Sequence, residues 1–417
     1  MNPSETQSPS PAAQRDRRRR WGILALLFVA LFLIYFDRQV ISLLKPEIIK
    51  DLGLVERDYA NIVSAFLFAY MFAYALSGRF VDRVGGKPAM ALFVGVWGLA
   101  NIVTGFTRTL WQMVACRVVL GAVEPGCYPG ALRVATSWFP AGLRGRACAI
   151  YQAGSATAAV AAPPLVVAMT ALWGWRPAFI LPGILGLLWL AGWRFVMRNP
   201  SPGYAAVVAG GNTGAPERVP LPRLLRDRNL WGVVLARLVS DQVWYFCLFW
   251  MAGHLRDTMH LSLAQAGLIV WLPFLCADLS GVLSGVLSDR LVARGMAPWR
   301  ARKSILLGIA VLGPAAAVVP FTTSAPVAVA AFCVVALVCQ VYLFTITSLV
   351  GEVFPRTSAA SVLGISGSFG ALGGMLSSQL IGALVGGFGY TPIFIMLACL
   401  HPLASAILAV AIRPRKT

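Results

Sequence analysis

The feature that most constrains this chain is its set of long apolar segments. Twelve occur in 417 residues, and each is close to or longer than the roughly 20 residues that a helix needs to cross a bilayer. Charged residues make up only 12% of the chain, about half of their share in a soluble protein. The pattern predicts an all-α membrane protein with twelve transmembrane helices and excludes soluble enzymes and secreted disulfide-rich domains. The segments are 21–44, 59–78, 89–107, 110–136, 147–170, 177–196, 230–253, 264–287, 304–323, 326–349, 360–387 and 391–412.

The basic residues are distributed unevenly between the two sides of the predicted bundle. Of the 35 Lys and Arg residues, 25 lie in the N-tail, the even-numbered connections and the C-tail, 6 in the odd-numbered connections and 4 within spans. By the positive-inside rule, both termini are cytoplasmic. Topology thus explains the net charge of +19, and no nucleic-acid partner is expected. We expect a monomeric, multi-pass protein of the cell inner (plasma) membrane, surrounded by the lipid bilayer.

Residue types that usually hold metals, nucleotides or disulfides form no recognisable pattern. All eight cysteines lie within or at the edge of a span, and no C-x-x-C occurs, which indicates small packing residues. The three histidines have no ligand spacing, and no G-x-x-x-x-G-K-[ST] sequence is present. We therefore expect no cofactor, no metal and no enzymatic activity.

The sequence divides into two halves of six spans. A connection at 197–229 contains Ser201-Pro202-Gly203 and Gly210-Gly211-Asn212, which is typical of a flexible linker. The run from Gly78 to Arg83 after span two recurs from Gly285 to Arg290 after span eight. Two repeated halves with a substrate site between them are typical of secondary transporters. The predicted parts are a basic cytoplasmic tail (1–20), an N-terminal bundle (21–196), a cytoplasmic linker (197–229), a C-terminal bundle (230–412) and a cytoplasmic C-tail (413–417).

The first of these repeats resembles a known loop signature. The run Gly78-Arg79-Phe80-Val81-Asp82-Arg83-Val84-Gly85-Gly86-Lys87 is similar to the G-x-L-x-D-R-x-G-R-K motif between helices two and three of the major facilitator superfamily. The resemblance implies the major facilitator fold, with two six-helix pseudo-repeats. The alternative for the loop itself is a positively charged turn without a latch. The conformational latch expected from the motif and its second copy consists of Gly78, Asp82, Arg83, Gly285, Asp289 and Arg290.

Four further segments resemble the anion:cation symporter family, in particular its hexuronate and aldonate (galactonate-type) transporters. Together with the loop motif they extend over nearly the whole chain, and the helix-seven segment is close to the hexuronate pattern D-P-V-W-W-F-Y-L-F-W, with Gln242 where that pattern has Pro. The resemblance implies that Arg38 grips a substrate carboxylate, with Tyr35 and Tyr70 as polar walls. The segments are Tyr35-Phe36-Asp37-Arg38, Gly121-Ala122-Val123-Glu124-Pro125-Gly126 through Ser137-Trp138-Phe139-Pro140, Gly174-Trp175-Arg176, and 241–250.

Charged side chains within the spans are the main functional candidates, because an ionisable group at mid-bilayer costs about 2.5–3.5 kcal/mol on insertion scales. Tyr35 and Arg38 share one face of helix one, and a guanidinium matches a carboxylate through two parallel hydrogen bonds. Arg38 is therefore predicted to bind an organic anion. The alternative is that Arg38 only neutralises an acid on a neighbouring helix. Arg133 and Arg237 are near enough to the cytoplasmic ends of their helices to snorkel.

A second group of candidates lies on helix four. Arg117, Gly121 and Glu124 recur at helical spacing on one face, and Pro125 allows a kink directly after the acid. A carboxyl group among apolar residues is costly to keep charged, so Glu124 is the first candidate for proton exchange. The family resemblance implies proton coupling by Asp37 and Glu124, and we group Arg117 with them. The alternative is a permanent ion pair between Arg117 and Glu124.

The C-terminal half offers further candidates. Asp241 and Asp278 lie near the middle of helices seven and eight. We expect each to accept a hydrogen bond within the bundle, and the alternative is a direct contact with the substrate. In helix five, Ser155 stands where aldonate transporters have Gln, and Gln152 one turn earlier could replace it. In helix ten, residues 339–345 keep only Gln340 of the hexuronate pattern H-Q-G-W-S-A-N. The remaining predicted substrate contacts are Trp244, Tyr245, Tyr342 and Thr345.

These observations predict a proton-coupled symporter that imports a small organic carboxylate by alternating access, with hexuronates or aldonates as the leading substrates. The apolar helix-ten segment keeps open an aromatic or less hydroxylated carboxylate. A proton-driven drug exporter or a transport-like sensor would also agree with the predicted fold. An exporter would be expected to lack the run from Tyr35 to Arg38, and a sensor would carry an additional signalling domain.

Overall fold

Within the residues that the structure describes, the first half of the chain forms eight α-helices. The computed structural model describes residues 11–198, 201–209 and 221–413. Gly210-Gly211-Asn212 of the predicted linker and residues 414–417 of the predicted C-tail lie outside the described residues. The helices of the first half are α1 (Pro11–Leu43), α2 (Lys45–Leu52), α3 (Glu56–Val84), α4 (Gly86–Gly105), α5 (Leu110–Val123), α6 (Cys127–Trp138), α7 (Ala141–Trp173) and α8 (Pro177–Val196).

Two short helices, α9 (Pro202–Ala209) and α10 (Leu221–Leu225), lie in the connection between the halves. In the described part of the chain, eleven helices are long and apolar enough to cross a membrane. The predicted all-α fold is therefore confirmed. The second half consists of α11 (Arg228–Phe249), α12 (Met251–Met259), α13 (Leu263–Ile269), α14 (Trp271–Ala293), α15 (Pro298–Ile309), a 3₁₀ segment (Ala310–Phe321), α16 (Ala325–Val353), α17 (Arg356–Phe388) and α18 (Thr391–Ala411).

The fourth predicted span is not one continuous helix. A 3₁₀ turn at Glu124–Gly126 separates α5 from α6, because Pro125 has no N–H to donate to the preceding turn. Each piece is shorter than a full span, which is why eleven helices rather than twelve are long enough to cross. Close packing holds α5 in place: a Cβ at Gly121 would overlap the carbonyl oxygen of Phe66 on α3. Only glycine allows the two backbones to approach this closely.

Both ends of the predicted N-terminal bundle differ from expectation. Helix α1 begins at Pro11, so it includes much of the predicted tail. Helix α9 occupies part of the predicted flexible linker and is bound to the first half. The Tyr204 hydroxyl donates to the Trp138 carbonyl at 2.8 Å, and the Arg144 guanidinium donates to the Val208 carbonyl at 3.2 Å. These bonds satisfy helix-end carbonyls that would otherwise be unpaired.

The two halves are joined at one face of the bundle. We call the face that carries the start of α1 and the connection between the halves the linker face, and the opposite one the far face. At the far face, Lys45 of the first half is fully buried and lies 2.7 Å from Asp257 of the second half and 2.9 Å from Glu56. Its Nζ also donates to the Tyr390 hydroxyl at 3.2 Å. Burial alone would lower the pKa of Lys45, but Tyr390 and the two carboxylates outweigh it and raise that pKa above its ordinary value, so the ammonium stays charged.

A second joint lies beside the first. Arg256 of the second half donates to both carboxylate oxygens of Glu47 at 2.5 and 2.6 Å and to the Leu43 carbonyl at 2.7 Å. The Tyr59 hydroxyl donates to the Phe249 carbonyl at 2.6 Å. Because these bonds cross between the halves, the structure is that of a bundle closed at its far face.

Removing the Lys45 ammonium is expected to open the far face. Lys45→Met keeps the length of the side chain but leaves Asp257 and Glu56 without their shared partner, and breaking a buried ion pair is strongly destabilising. The population open at the far face should rise by at least about tenfold. Spin labels at Arg108 and His260, one on each half, would report it as a longer inter-label distance.

The matched control is Asp51→Asn. Asp51 also forms a far-face ion pair, with Arg176 at 2.7 Å, but both residues belong to the first half. This variant should leave the label distance unchanged. Equal shifts in Lys45→Met and Asp51→Asn would show that the joint between the halves does not hold the far face closed.

Candidate functional site

A cavity of about 350 Å³ lies between the two halves. Residues of α1, α3, α6 and α7 line it on one side, and residues of α11, α14, α16, α17 and α18 on the other. Its size is within the usual range for sites that bind small molecules. Eight of the ten predicted substrate contacts line it, namely Tyr35, Arg38, Tyr70, Gln152, Ser155, Trp244, Tyr245 and Gln340.

Arg38 is the most enclosed charged residue of the cavity wall. Its side chain is 5% exposed, and its Nε and Nη2 lie 2.9 and 2.8 Å from Oε2 of Glu124. The guanidinium carbon lies 5.1 Å from the ring centre of Tyr35 and 5.0 Å from that of Tyr70. Aromatic faces stabilise a cation in this arrangement. The site therefore combines a guanidinium, two aromatic walls and one carboxylate that is already paired with the guanidinium.

Glu124 is paired with Arg38 through only one of its two carboxylate oxygens. The residue is completely buried, and in the part of the chain that the structure describes its Oε1 has no hydrogen-bond partner. A buried, unpaired carboxylate oxygen is unfavourable. Its negative charge therefore depends on Arg38, and a ligand that takes Arg38 away would favour protonation of the carboxyl group.

Asp37 and Arg117 form a second buried ion pair, which lies outside the cavity lining. Arg117 Nη1 donates to Asp37 Oδ2 at 2.9 Å, and both side chains are at most 3% exposed. With its amide oriented to satisfy its neighbours, Asn101 donates to Asp37 Oδ1 at 2.6 Å and accepts from Trp97 Nε1 at 3.0 Å. Arg117, Asp37 and Glu124 do not line the cavity, so only Arg38 connects this group to a ligand.

The pairing differs from the predicted alternative of an Arg117–Glu124 bridge. Both residues lie on one side of the fourth span, as their spacing indicates. Helix α1 presents an acid and a base in succession to that side, and two pairs form between the helices, Arg38 with Glu124 and Arg117 with Asp37. Arg38 does neutralise an acid on a neighbouring helix, and it also reaches the cavity.

Two predicted contacts on helix ten do not line the cavity. Tyr342 is 1% exposed, and its hydroxyl lies 2.7 Å from the Ser405 hydroxyl, away from the cavity. Thr345 is also buried and outside the lining. The bond to Ser405 fixes the rotation of α16 about its axis, so the neighbouring positions face the cavity instead. These are Leu343, Phe344 and Thr347.

Arg237 does not snorkel to the helix end as predicted. It lines the cavity, and its Nε and Nη2 donate to Oδ2 of Asp241 at 2.9 and 2.7 Å. Space for the carboxylate comes from Gly370 on α17, where a Cβ would overlap Asp241 Oδ2. Asp278 also lines the cavity, and no hydrogen bond or ion pair is formed by it within the described ranges.

Sequence reasoning missed several residues of the site. Tyr74, Tyr128 and His401 line the cavity, and Asn101 holds Asp37 from outside it. Asn101 carried a usable signal, because it is the one amide within an otherwise apolar third span. The tyrosines carried none, since aromatic residues in apolar helices more often only pack.

The predicted latch residues lie at the linker face, away from the cavity. Asp82, Arg83, Asp289 and Arg290 are exposed. A Cβ at either glycine of the motif, Gly78 or Gly285, would meet no atom within 4 Å. No helix therefore approaches these glycines closely in this conformation, which is closed at the opposite face.

Comparison with known proteins identifies the class. The sequence profile described as "Major Facilitator Superfamily" matches residues 27–378. The chain therefore belongs to the major facilitator superfamily, and it is a transporter rather than an enzyme.

Individual relatives confirm the resemblance to hexuronate and aldonate transporters. The chain is 26% identical to the hexuronate transporter of Escherichia coli (strain K12) over 93% of both chains. It is 30% identical to the probable L-galactonate transporter of the same strain, over 77% of this chain and 74% of the relative. Among solved structures, a bacterial homolog to the human lysosomal transporter Spinster has a TM-score of 0.72 at 19% identity, covering 94% of this chain and 95% of the other. That likeness supports the fold alone.

Proposed function

We propose that this protein is a proton-coupled symporter that imports a small organic carboxylate, most favourably a hexuronate or an aldonate. The observation that carries the proposal is Arg38: a guanidinium that lines the cavity and is held there by a completely buried carboxylate. The names of the relatives support sugar acids as substrates.

Coupling follows from competition for this guanidinium. A substrate carboxylate that pairs with Arg38 displaces Glu124, which is left buried with no counter-charge and therefore takes up a proton. The site then holds a neutral Glu124 and a neutralised substrate, so the loaded halves can rock without moving net charge through the membrane. Asp37 and Arg117 remain paired, so this second ion pair adds no net charge to the site.

Alternating access uses the joint described above. The bundle is closed at its far face by the Lys45 and Arg256 pairs, and in the opposite conformation we expect these to separate while the latch residues meet. The distribution of basic residues supports a cytoplasmic location for the linker face and both termini. The domain organisation we propose is the two six-helix bundles given by the sequence, joined by the 197–229 connection, in a monomer.

A second substrate class is favoured by one observation. Leu343, Phe344 and Leu363 line the second-half side of the cavity, and each substrate hydroxyl left unpaired against them would cost about 1–3 kcal/mol. An aromatic or less hydroxylated carboxylate would avoid that cost. Gln152, Ser155 and Gln340 on the other walls can pair hydroxyls, which keeps the sugar acids ahead.

An uptake competition assay separates the two classes. Cells that express the protein would take up labelled galacturonate, and unlabelled glucuronate, galactonate and benzoate would compete. We expect galactonate and glucuronate to reduce the labelled uptake and benzoate to have little effect, because it makes no hydroxyl contacts.

The control is the same assay with Arg38→Ala, in which uptake above background should disappear. Competition by benzoate alone would replace the sugar acids with the aromatic class. Uptake of none of these acids would contradict the proposed substrate class as a whole.

A further inference from the structure

A buried histidine lies beside the joint that closes the far face. His254 is on α12, between two membrane spans, and its ring centre lies 4.5 Å from that of Tyr390 and 4.8 Å from that of Phe394. Its Nδ1 lies 3.2 Å from the Thr258 hydroxyl, whereas its Nε2 has no hydrogen-bond partner within the described residues. A protonated ring would therefore bury an Nε2–H without an acceptor, so the imidazole is neutral in this conformation.

The positive charge next to this histidine comes from the other half of the chain. A Cβ at Gly253, the residue before His254, would overlap Cδ of Lys45, so the lysine side chain lies across the first turn of α12. Its Nζ is 5.9 Å from the ring centre of Tyr390, the same ring that His254 contacts. Burial and, to a smaller extent, the Lys45 ammonium lower the pKa of His254 to about 3. The closed joint thus excludes a proton from the imidazole.

The acids of the joint are paired with Lys45 and not with His254. The ammonium lies 2.9 Å from Glu56 and 2.7 Å from Asp257. Helix α16 presents the apolar Phe332 to the imidazole. A proton on His254 would therefore add a second positive charge beside Lys45 with no free acid to balance it. The charged and titratable groups around the joint are Lys45 and Glu47 of α2, Glu56 and Tyr59 of α3, Arg256 and Asp257 of α12, and Tyr390 at the start of α18.

Opening of the far face changes the partners that are available on α12. Lys45 belongs to the first half and moves away with it, so Asp257 loses its cation. His254 and Asp257 are three residues apart on one helix, a spacing that places two side chains on the same side. A protonated imidazole can then donate a charge-assisted hydrogen bond to the Asp257 carboxylate. The proton on His254 thus replaces the lost ammonium as the counter-charge of Asp257.

We propose that His254 is a proton-operated switch of the far face, in which Lys45 and protonated His254 are alternative partners of Asp257 in the closed and the open conformation. Because the open conformation binds the extra proton more tightly, acid shifts the population towards opening. The closed conformation loses its advantage as the pH falls below about 6.5, the ordinary pKa of histidine. With the far face outside the cell, an acidic exterior opens the carrier towards its substrate. This last consequence rests on the proposed function, whereas the switch does not.

Inter-label distances at two pH values test the switch in the purified full-length protein without substrate. Spin labels at Arg108 and His260 would report opening of the far face at pH 8 and at pH 5. With His254 present, the ratio of open to closed protein should rise about thirtyfold between these values, as expected for one proton that binds the open conformation with an ordinary histidine pKa. In His254→Gln, which stays neutral, the ratio should change by less than about threefold, and the distances at pH 8 should match those of the protein with His254.

Two further variants make the result specific to His254. Glu124→Gln removes the buried carboxyl group beside Arg38 and should keep the full pH response, and His254→Phe can pack on the same rings if His254→Gln does not fold. A ratio that does not change with pH when His254 is present, a response that persists without His254, or one that disappears in Glu124→Gln would overturn the switch. An equal shift at both pH values in His254→Gln would show a structural role and also overturn it. Failure of galacturonate to bind would contradict the proposed function and not the switch.

Discussion

Arg38→Lys should lose substrate binding nearly as completely as Arg38→Ala. Lysine keeps the positive charge but replaces the planar two-point contact with a single ammonium, so it cannot form the two parallel hydrogen bonds with which a substrate carboxylate would displace Glu124. Loss of a charge-assisted contact predicts binding that is about 10- to 100-fold weaker. Isothermal titration with galacturonate in detergent would measure it, beside thermal unfolding to confirm that each variant folds.

Two controls make the result specific to Arg38. Arg133→Lys changes an arginine that is also within a span but exposed and outside the cavity, and it should bind as the unmodified protein does. The double variant Arg38→Gln with Glu124→Gln avoids a buried unpaired acid, so it should fold and still fail to bind. Unchanged binding in Arg38→Lys would show that Arg38 provides only charge, and unchanged binding in Arg38→Ala would remove it from the site.

Glu124→Gln should retain exchange of substrate across the membrane but lose accumulation of substrate against a gradient. Glutamine resembles the protonated acid, so the loaded carrier can still change conformation, but it cannot release a proton. In proteoliposomes, exchange of labelled for unlabelled galacturonate should stay within about threefold of the unmodified rate, while uptake against a gradient should fall by at least about tenfold because nothing drives it.

Asp37→Asn is the comparison variant. Asp37 pairs with Arg117 and Asn101 and does not reach the cavity, so this variant should weaken both exchange and accumulation by disturbing Arg117. Normal accumulation with an unchanged pH dependence in Glu124→Gln would remove Glu124 from coupling. If Asp37→Asn alone showed the separated behaviour, Asp37 would take its place.

The sequence predicts much of the fold because the bilayer leaves few options. Long apolar segments must become helices, and the uneven distribution of Lys and Arg residues predicts how these helices are oriented in the membrane. The break at Glu124–Gly126 was indicated by Pro125, although only as a kink. The extension of α1 back to Pro11 and the docking of α9 were not predicted, because both depend on bonds between distant residues such as Tyr204 and Trp138.

Prediction of the site was limited by helix rotation and pairing. Spacing correctly puts Arg117 and Glu124 on one side of their span, but it cannot say which partner each takes when a neighbouring helix presents both charges. On α16 the rotation is set by the bond between Tyr342 and Ser405, 63 residues apart, which no local pattern contains. Arg237 was misplaced for a similar reason, since its position allowed snorkelling and only the structure shows its pair with Asp241.

Proton movement accompanying substrate is the most direct test of the central claim. Proteoliposomes would contain a pH-sensitive dye and no imposed gradient, and galacturonate would be added outside. Coupled transport predicts acidification of the lumen that follows galacturonate uptake in time, and its absence in both Arg38→Ala and Glu124→Gln. Galacturonate entry without acidification, or acidification that persists in Glu124→Gln, would contradict a symport mechanism built on the Arg38–Glu124 pair.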